Sequence, residues 1–488
     1  MKRYEHIAQE VAAMIRSGSL STGERAPSMR QLRRDRRVSP GTVRRAYELL
    51  QERGYIEALP RSGFYVTSHW RTVPPEPRIS QPVTRSTSPD VAELIFLVLE
   101  AMRERRLVPF GSAFPSPTLF PLDELGRELG ETARHLNPWS TVEDLPPGSL
   151  ALRRQIALRY QRFGVDVVAD EIIVTAGGLE AINLSLRSVA RPGDVVAVES
   201  PAFYGYLQAI ESYGLRAVEI PTHTRDGVDL ECLAAILKRH PVRACCLMTN
   251  FQNPVGALMP DEKKNRLVKL LGAHEVPLIE DDVYSELFFG AERPRPAKAY
   301  DRKGLVLHCN SFSKCLAPGY RVGWVAAGRF ARTVERRKAV GTIATAVPIQ
   351  EAISAYLRRS AYERHLRSLR RALQEQQGCM LRSIQAHFPR GYRVTRPAGG
   401  YVLWVELPSS IDGSQLHRLA IERGISVAPG PIFSPRREFR NCIRLNYGYP
   451  WDAKLEEAMR TLGSVISELG AGFQERSSDE RRLDRDPE

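Results

Sequence analysis

The sequence predicts a multidomain chain: a small, mainly helical module closed by a β-hairpin, then a large α/β domain with a smaller α+β portion at its end. Three observations predict it. Three stretches of helical apolar spacing open the chain and two short extended runs follow them. A Pro-rich interval without apolar periodicity comes next, and apolar strands then alternate with amphipathic helices. At 488 residues the chain is too long for one ordinary core, and about 150 residues per domain suggests roughly three units.

The first helix spans Tyr4 to Arg16 and places Ile7, Val11, Met14 and Ile15 on one face. A second runs from about Ser28 to Arg36. The third follows Val38-Ser39-Pro40-Gly41, where Ser39 can cap and Pro40 can take the first helical position. It continues from Thr42 to Arg53 with Val43, Ala46, Tyr47, Leu49 and Leu50 inward, and stops at Gly54. The extended runs Tyr55–Leu59 and Phe64–Thr67 flank Pro60-Arg61-Ser62-Gly63, a hairpin-turn composition. Helix, helix, helix, hairpin is the order of a winged helix-turn-helix, expected over residues 1–67.

From Ser68 to Asp90 the prolines at 74, 75, 77, 82 and 89 predict a stiffened, solvated linker. Extended at about 3.1 Å per residue, it could reach on the order of 70 Å. The α/β domain is expected over residues 91–469. Its strands are predicted at Glu171–Thr175, Val195–Glu199, Ala217–Ile220, Ala244–Thr249, Pro277–Glu280, Val306–Asn310 and Arg321–Ala326. A long charged helix follows residue 360, and residues 470–488 read as a disordered polar tail. No internal repeat is visible.

Composition narrows the function classes. An apolar fraction of 43% with 26% charged residues is that of a globular chain, and no stretch has the roughly 18–20 uninterrupted apolar residues of a membrane span. The opening residues lack the apolar core of a signal peptide, so a cytoplasmic location is expected. Seven scattered cysteines without a CxxC pair argue for reduced thiols and against a metal site. The net charge is +14, and residues 1–66 hold 13 Lys+Arg against 7 Asp+Glu, a difference of +6. A basic first module favours a nucleic-acid partner.

On the third helix, Gly41 permits close approach to a major groove and Thr42 is a short donor. Arg44 and Arg45 can reach phosphates or guanine edges, and Arg61 sits at the wing tip. The run Arg33, Arg34, Arg36, Arg37 reads as solvent- or phosphate-facing. A helical protein-interaction module with a basic face is the competing reading. The segments Pro27-Ser28-Met29-Arg30, Val38-Ser39-Pro40-Gly41-Thr42-Val43 and Arg61-Ser62-Gly63-Phe64-Tyr65-Val66 resemble the GntR family of bacterial regulators. That resemblance implies double-stranded operator DNA as partner, with contacts at Arg30, Ser39, Gly41, Thr42, Arg44 and a wing around Arg61 and Gly63. Ala26 departs from the family's usual leucine.

In the second domain, Lys314 in Ser311-Phe312-Ser313-Lys314 follows a predicted strand and could form a Schiff base with an aldehyde cofactor. Nearby hydroxyls and Arg321 could hold a phosphate. Asp281 ends an apolar strand, where ligands bind in open α/β sheets, and could pair with a protonated pyridine nitrogen. Asp282 competes for that role. Asn253 and Tyr284 can donate to a ring hydroxyl, Gly177-Gly178 suits a phosphate at a helix N-terminus, and Phe203 offers a stacking face. Each alone reads more readily as a turn, a cap or core. Taken in this order, Gly-Gly, Phe, Asn-Pro-x-Gly, Asp-x-x-Tyr, Ser-x-Ser-Lys and Arg are similar to the class I aminotransferases of pyridoxal phosphate (PLP) fold type I.

The resemblance covers about residues 91 to 469. It implies PLP as cofactor, Lys314 as its Schiff-base lysine, Asp281 as the pyridine partner, and Asn253 and Tyr284 as ring-oxygen donors. Gly177, Gly178, Ser311, Ser313 and Arg321 become phosphate ligands, and Arg444 the grip for an α-carboxylate. Two departures stand out. Leu179 replaces a polar residue, and Thr141–Gly148 lacks the tyrosine that commonly reaches a neighbouring subunit's phosphate. The whole chain resembles the MocR subfamily, which implies a head-to-tail homodimer sensing an amino acid, an amine or PLP itself. Two alternatives stay open: a working aminotransferase with an appended DNA-binding module, and a DNA binder that does not use PLP.

Overall fold

A computed structural model describes residues 3–21, 23–36, 38–52, 54–59, 62–67, 74–101, 104, 106–140 and 145–483. Arg37, Arg61 and the first half of the tyrosine-lacking segment (141–144) lie outside the described residues. Two compact units divide at Pro75 and Glu76.

In the small unit, α1 (Arg3–Arg16), α2 (Met29–Arg36) and α3 (Pro40–Glu52) precede a hairpin of β1 (Ile56–Leu59) and β2 (Gly63–Val66). Ile7, Val11 and Ile15, one helical turn apart, pack with Val43, Tyr47 and Leu50 of α3. Met14 was expected on that face but is 40% exposed, because its neighbour Ile15 holds the inward position. Leu49 is half-buried. Ser39 caps α3: its Oγ accepts from the Thr42 N–H at 3.2 Å. Ser28 does the same for α2 through the Gln31 N–H. The Tyr47 hydroxyl donates to the Pro27 carbonyl, fastening α3 to the turn before α2.

The large unit holds an eight-stranded sheet. In chain order its strands are β3 (Ile172–Thr175), β4 (Val195–Ser200), β5 (Arg216–His223), β6 (Gly227–Val228), β7 (Val242–Leu247), β8 (Leu278–Asp281), β9 (Val306–Ser311) and β10 (Gly323–Ala326). In space they lie β3-β10-β9-β8-β7-β4-β5-β6. Strands β9, β8, β7, β4 and β5 are mutually parallel, and β10 runs against both neighbours. Because the chain leaves β4 for β5 on one side and returns to β7 on the other, the strand order reverses at β4. A crevice therefore opens at the carboxyl ends of β4, β7 and β8. The strands are buried on both faces, as their continuous apolar runs require. A smaller antiparallel sheet of β11 (Arg393–Val394), β12 (Val402–Glu406), β13 (Ala428–Pro429) and β14 (Cys442–Asn446) completes the unit, in the order β11-β12-β14-β13.

Three expectations need correction. Arg321 is not in β10: it takes a left-handed conformation (φ 52°, ψ 49°) just before the strand. The helix Ala453–Leu483 continues through much of the expected tail. The expected linker is not solvated throughout, since residues 76–90 form an arm laid along the outer edge of β5. Thr87 and Ala217 exchange both backbone hydrogen bonds at 2.7 and 2.8 Å, and the Ser80 N–H donates to the Thr222 carbonyl. Proline-rich composition forbids a regular ladder but not isolated bridges, and the arm covers an edge that would otherwise expose unpaired backbone. Among the described residues no helix is long and apolar enough to cross a membrane.

Leu50 is fully buried at the centre of the small unit. Leu50→Ala should cost about 2–5 kcal/mol, most of what a unit of this size has. Calorimetry should then show the small unit's transition lost while the large unit melts unchanged; a single transition shifted as a whole would contradict the division into two units.

Candidate functional site

The crevice at the reversal gathers the chemistry-bearing residues. Asp281 ends β8, Asn253 follows β7, Phe203 follows β4, Ser311 ends β9, and Lys314 lies three residues beyond it. Arg444, in the middle of β14, reaches in from the smaller sheet and donates to Asn253 Oδ1 at 3.2 Å.

The phosphate end is built by glycine. Gly177 (φ 93°) caps the helix Gly178–Val189, and a Cβ there would collide with the Arg321 guanidinium. Arg321 is held by bonds to Ser313 Oγ at 3.1 Å and to the Ala176 carbonyl at 3.1 Å. Its left-handed backbone, costly for a residue with a side chain, brings the guanidinium to that helix N-terminus. A helix N-terminus, a guanidinium and the Ser311 and Ser313 hydroxyls make a cradle for a doubly charged anion. The sequence reading missed Glu180. Its carboxylate accepts from the Ala176 N–H and pairs with the buried Lys338 at 3.2 Å, bracing the turn.

At the ring end, Asp281 is buried and accepts from the Val283 N–H at 3.2 Å. Burial pushes its carboxyl up to about 7 despite that bond, with Asp282 adding to the rise and Lys314 and His308 opposing it. Asp282 is committed elsewhere, bonding His308 Nε2 at 3.0 Å and Asn250 at 2.7 Å. Of the two adjacent carboxylates, Asp282 is thus taken up by side-chain partners, while Asp281 has a backbone N–H as its hydrogen-bond partner. Asn253 Nδ2 lies 3.4 Å from the Tyr284 hydroxyl. Phe203 is half-buried, and its ring lies against Gly205, where a Cβ would meet it at 2.6 Å.

Lys314 donates to the Ala113 carbonyl at 2.7 Å, and its Nζ lies 3.7 Å from the centre of the Phe114 ring. Burial lowers its ammonium to about 7; Arg444 and Arg321 push the same way and Asp281 opposes them. A lysine that is half free base near neutrality is a competent nucleophile.

Arg444 is fully buried and so is no surface strand arginine. Its Nη2 donates to the carbonyls of Gly111 and Ser112 at 2.6 and 3.1 Å, while its buried Nε has no partner among the described residues. Those residues also place no carboxylate in ion-pair range of it. An unmatched buried donor on an unneutralised cation is the chemistry of a carboxylate subsite. The segment 111–114 was another omission of the sequence reading. Asn446, two residues along β14, donates to the Ser112 and Phe114 carbonyls, and the Tyr401 hydroxyl donates to Ala113. Strand periodicity from Arg444 is a signal that could have found Asn446; nothing in the sequence points to Tyr401.

On the small unit, Gly41, Arg30, Arg44 and Arg45 are exposed and Thr42 is half-buried. Ser39 and Thr42 hydroxyls bond each other at 2.9 Å, and Arg44 and Arg45 both pair with Glu48. A Cβ on Gly41 would meet nothing closer than Ser39 Oγ at 3.9 Å, so the fold itself does not require glycine there. Gly63 is different: its φ of 108° is demanded by the wing.

The chain matches the family of aminotransferase class I and II over residues 144–462, and the bacterial regulatory proteins of the gntR family over residues 3–66. It is 45% identical over 468 residues to the HTH-type transcriptional regulator YdcR of Escherichia coli (strain K12), covering 96% of this chain and 100% of that protein. The chain belongs to the GntR-type regulators that carry an aminotransferase domain. This is the MocR grouping that the sequence resembles, and its aminotransferase fold is that of PLP-dependent enzymes. The large unit of this GntR-type regulator superposes on LysN, the α-aminoadipate aminotransferase of Thermus thermophilus (TM-score 0.70, 29% identity, 77% of this chain and 95% of that one). It also superposes on the kynurenine aminotransferase of Pyrococcus horikoshii (TM-score 0.72, 28% identity, 78% and 95%).

Two outcomes are expected. Gly41→Ala should leave the melting temperature unchanged while operator affinity falls about tenfold in a gel-shift titration, since an added methyl blocks groove approach; unchanged affinity would remove Gly41 from the interface. The rate at which PLP attaches to Lys314, followed by visible absorbance, should rise with pH through a midpoint of about 7 as the amine loses its proton. In Arg444→Gln that midpoint should move up, because a cation that favours proton release is gone; a midpoint that stays put would show that the two cations do not interact.

Proposed function

We propose that this regulator binds operator DNA through its small unit and, in the large unit, holds PLP and senses an amino acid or amine. The observation that carries the reading is Arg444: a buried cation with an unmatched donor, facing Lys314, in a chain that also carries a helix-turn-helix. PLP supplies an aldehyde that captures amines and a ring that draws electrons from the captured group. Lys314 Nζ, half free base near neutrality, would take the aldehyde and give it up to an incoming amine. Gly177, Gly178, Ser311, Ser313 and Arg321 would hold the phosphate, with Phe203 beneath the ring. Asp281 would keep the ring nitrogen protonated, and Asn253 and Tyr284 would donate to its oxygen. Arg444 would take the carboxylate.

In the same reading the protein acts in the cytoplasm as a head-to-tail homodimer whose winged units contact DNA through Arg30, Ser39, Gly41, Thr42, Arg44, Arg45, Arg61 and Gly63. Residues 1–67 form the DNA-binding domain, and the sensing domain runs to about residue 469. A binding amine would shift the dimer between states of different DNA affinity. Turnover as an aminotransferase is the second reading, favoured by the simultaneous presence of Lys314, Asp281 and Arg444 in one crevice.

The deciding measurement adds a panel of amino acids and amines to the PLP-loaded protein. Visible absorbance and operator affinity are followed together. A sensor gives a persistent spectral change with one compound and a matching change in DNA affinity. Loss of the visible band with release of a keto acid would instead establish turnover, and no visible band after adding PLP would sink both readings.

A further inference from the structure

Arg444 and the arm at residues 76–90 are joined by one short loop. On its site-facing side, the Phe433 ring lies 5.4 Å from the Arg444 guanidinium and packs on Tyr204 and Trp404. The Phe433 carbonyl accepts from the Ala202 N–H at 2.8 Å, next to Phe203. One residue on, Ser434 Oγ bonds Glu219 of β5 at 3.5 Å and accepts the Arg436 N–H at 3.2 Å. Arg436 then donates to the Arg85 carbonyl at 2.7 Å, and Arg437 forks onto the Asp90 carbonyl at 2.7 and 2.9 Å. Arg437 holds that fork from a left-handed backbone (φ 57°), which a residue with a side chain seldom adopts.

We propose that the loop 430–437 transmits carboxylate occupancy at Arg444 to the arm, with Arg436 and Arg437 as its positioning residues. The proposal rests on the reading of Arg444 as the carboxylate grip. A guanidinium that turns to a carboxylate must rearrange against Phe433, because packed side chains shift between discrete arrangements and do not yield gradually. Phe433 cannot move without Ser434, and Ser434 carries two arginines that help to hold the arm, alongside the Thr87–Ala217 backbone bonds and those from Arg216 and His240 to Ser86 and Thr84. The mechanical consequence follows from chain length. With residues 76–90 fastened, the stretch from Thr67 to Glu76 spans at most about 30 Å; with the arm released to Val91 it spans about 70 Å. Fastening or releasing the arm thus changes the length of chain left free between the two units.

The test uses the full chain and two stable probes. Phosphopyridoxyl-L-alanine offers Arg444 a carboxylate; phosphopyridoxyl-ethylamine fills the same site without one. Amide hydrogen exchange at Thr87 and Ser80 should differ at least about fivefold between the two complexes. The double variant Arg436→Ala with Arg437→Ala should bind both probes as the wild type does and show no such difference. Arg437→Lys, which keeps a donor for the Asp90 carbonyl, should restore part of it. Equal exchange with both probes bound, or a difference that survives in the double variant, would overturn the coupling alone. Failure of either probe to bind would remove the cofactor reading, and the coupling with it.

Discussion

Burying a guanidinium completely is the constraint from which the site's arrangement follows. Taking Arg444 out of water costs several kcal/mol unless its donors are met. The described residues meet its Nη donors with dipoles and no carboxylate, two carbonyls from the segment 111–112 and the Asn253 side chain, and leave Nε unmatched. That choice fixes several other features. The 111–114 segment must be held in place, which Asn446 and Tyr401 do. The positive field left over adds to burial in bringing the Lys314 ammonium down to about 7. A cation neutralised by an internal acid would have left the site with less reason to take an anion.

Asp281, which ends β8, and Asp282, just beyond it, show how neighbours in sequence are driven to opposite roles. Asp282 is drawn into a buried network with His308, Asn250 and Arg293, which keeps it ionised in spite of its burial. Asp281, one residue away, points to the crevice with one backbone donor and rises to about 7. Strand alternation sends their side chains to opposite faces. The network on one face therefore anchors the strand end that presents Asp281 to the crevice on the other.

Much of this was legible before any coordinates. The strands, the Gly-Gly turn, the Ser-x-Ser-Lys segment and the capped third helix all follow from local rules, with strand bounds that differ from the expected ones by up to three residues, as in β5 (Arg216–His223) against Ala217–Ile220. The unread parts share a different cause. Arg321 looked like the start of a strand, because its left-handed turn is imposed by bonds to Ser313 and Ala176 that are distant in sequence. The arm's polar, proline-rich residues carry no periodicity, so two backbone bonds at Thr87 leave no trace in composition. Tyr401 and the 111–114 segment converge from elements more than 280 residues apart.

The arm also marks where the molecule can be cut. A truncated chain starting at Val91, the boundary that the proline content suggests, would strip the outer edge of β5 and expose a row of free amides and carbonyls. Such an edge is a template for pairing with another copy. The separable large unit therefore begins by Glu76, and fifteen residues that look like spacer help to cover the β5 edge beside β6.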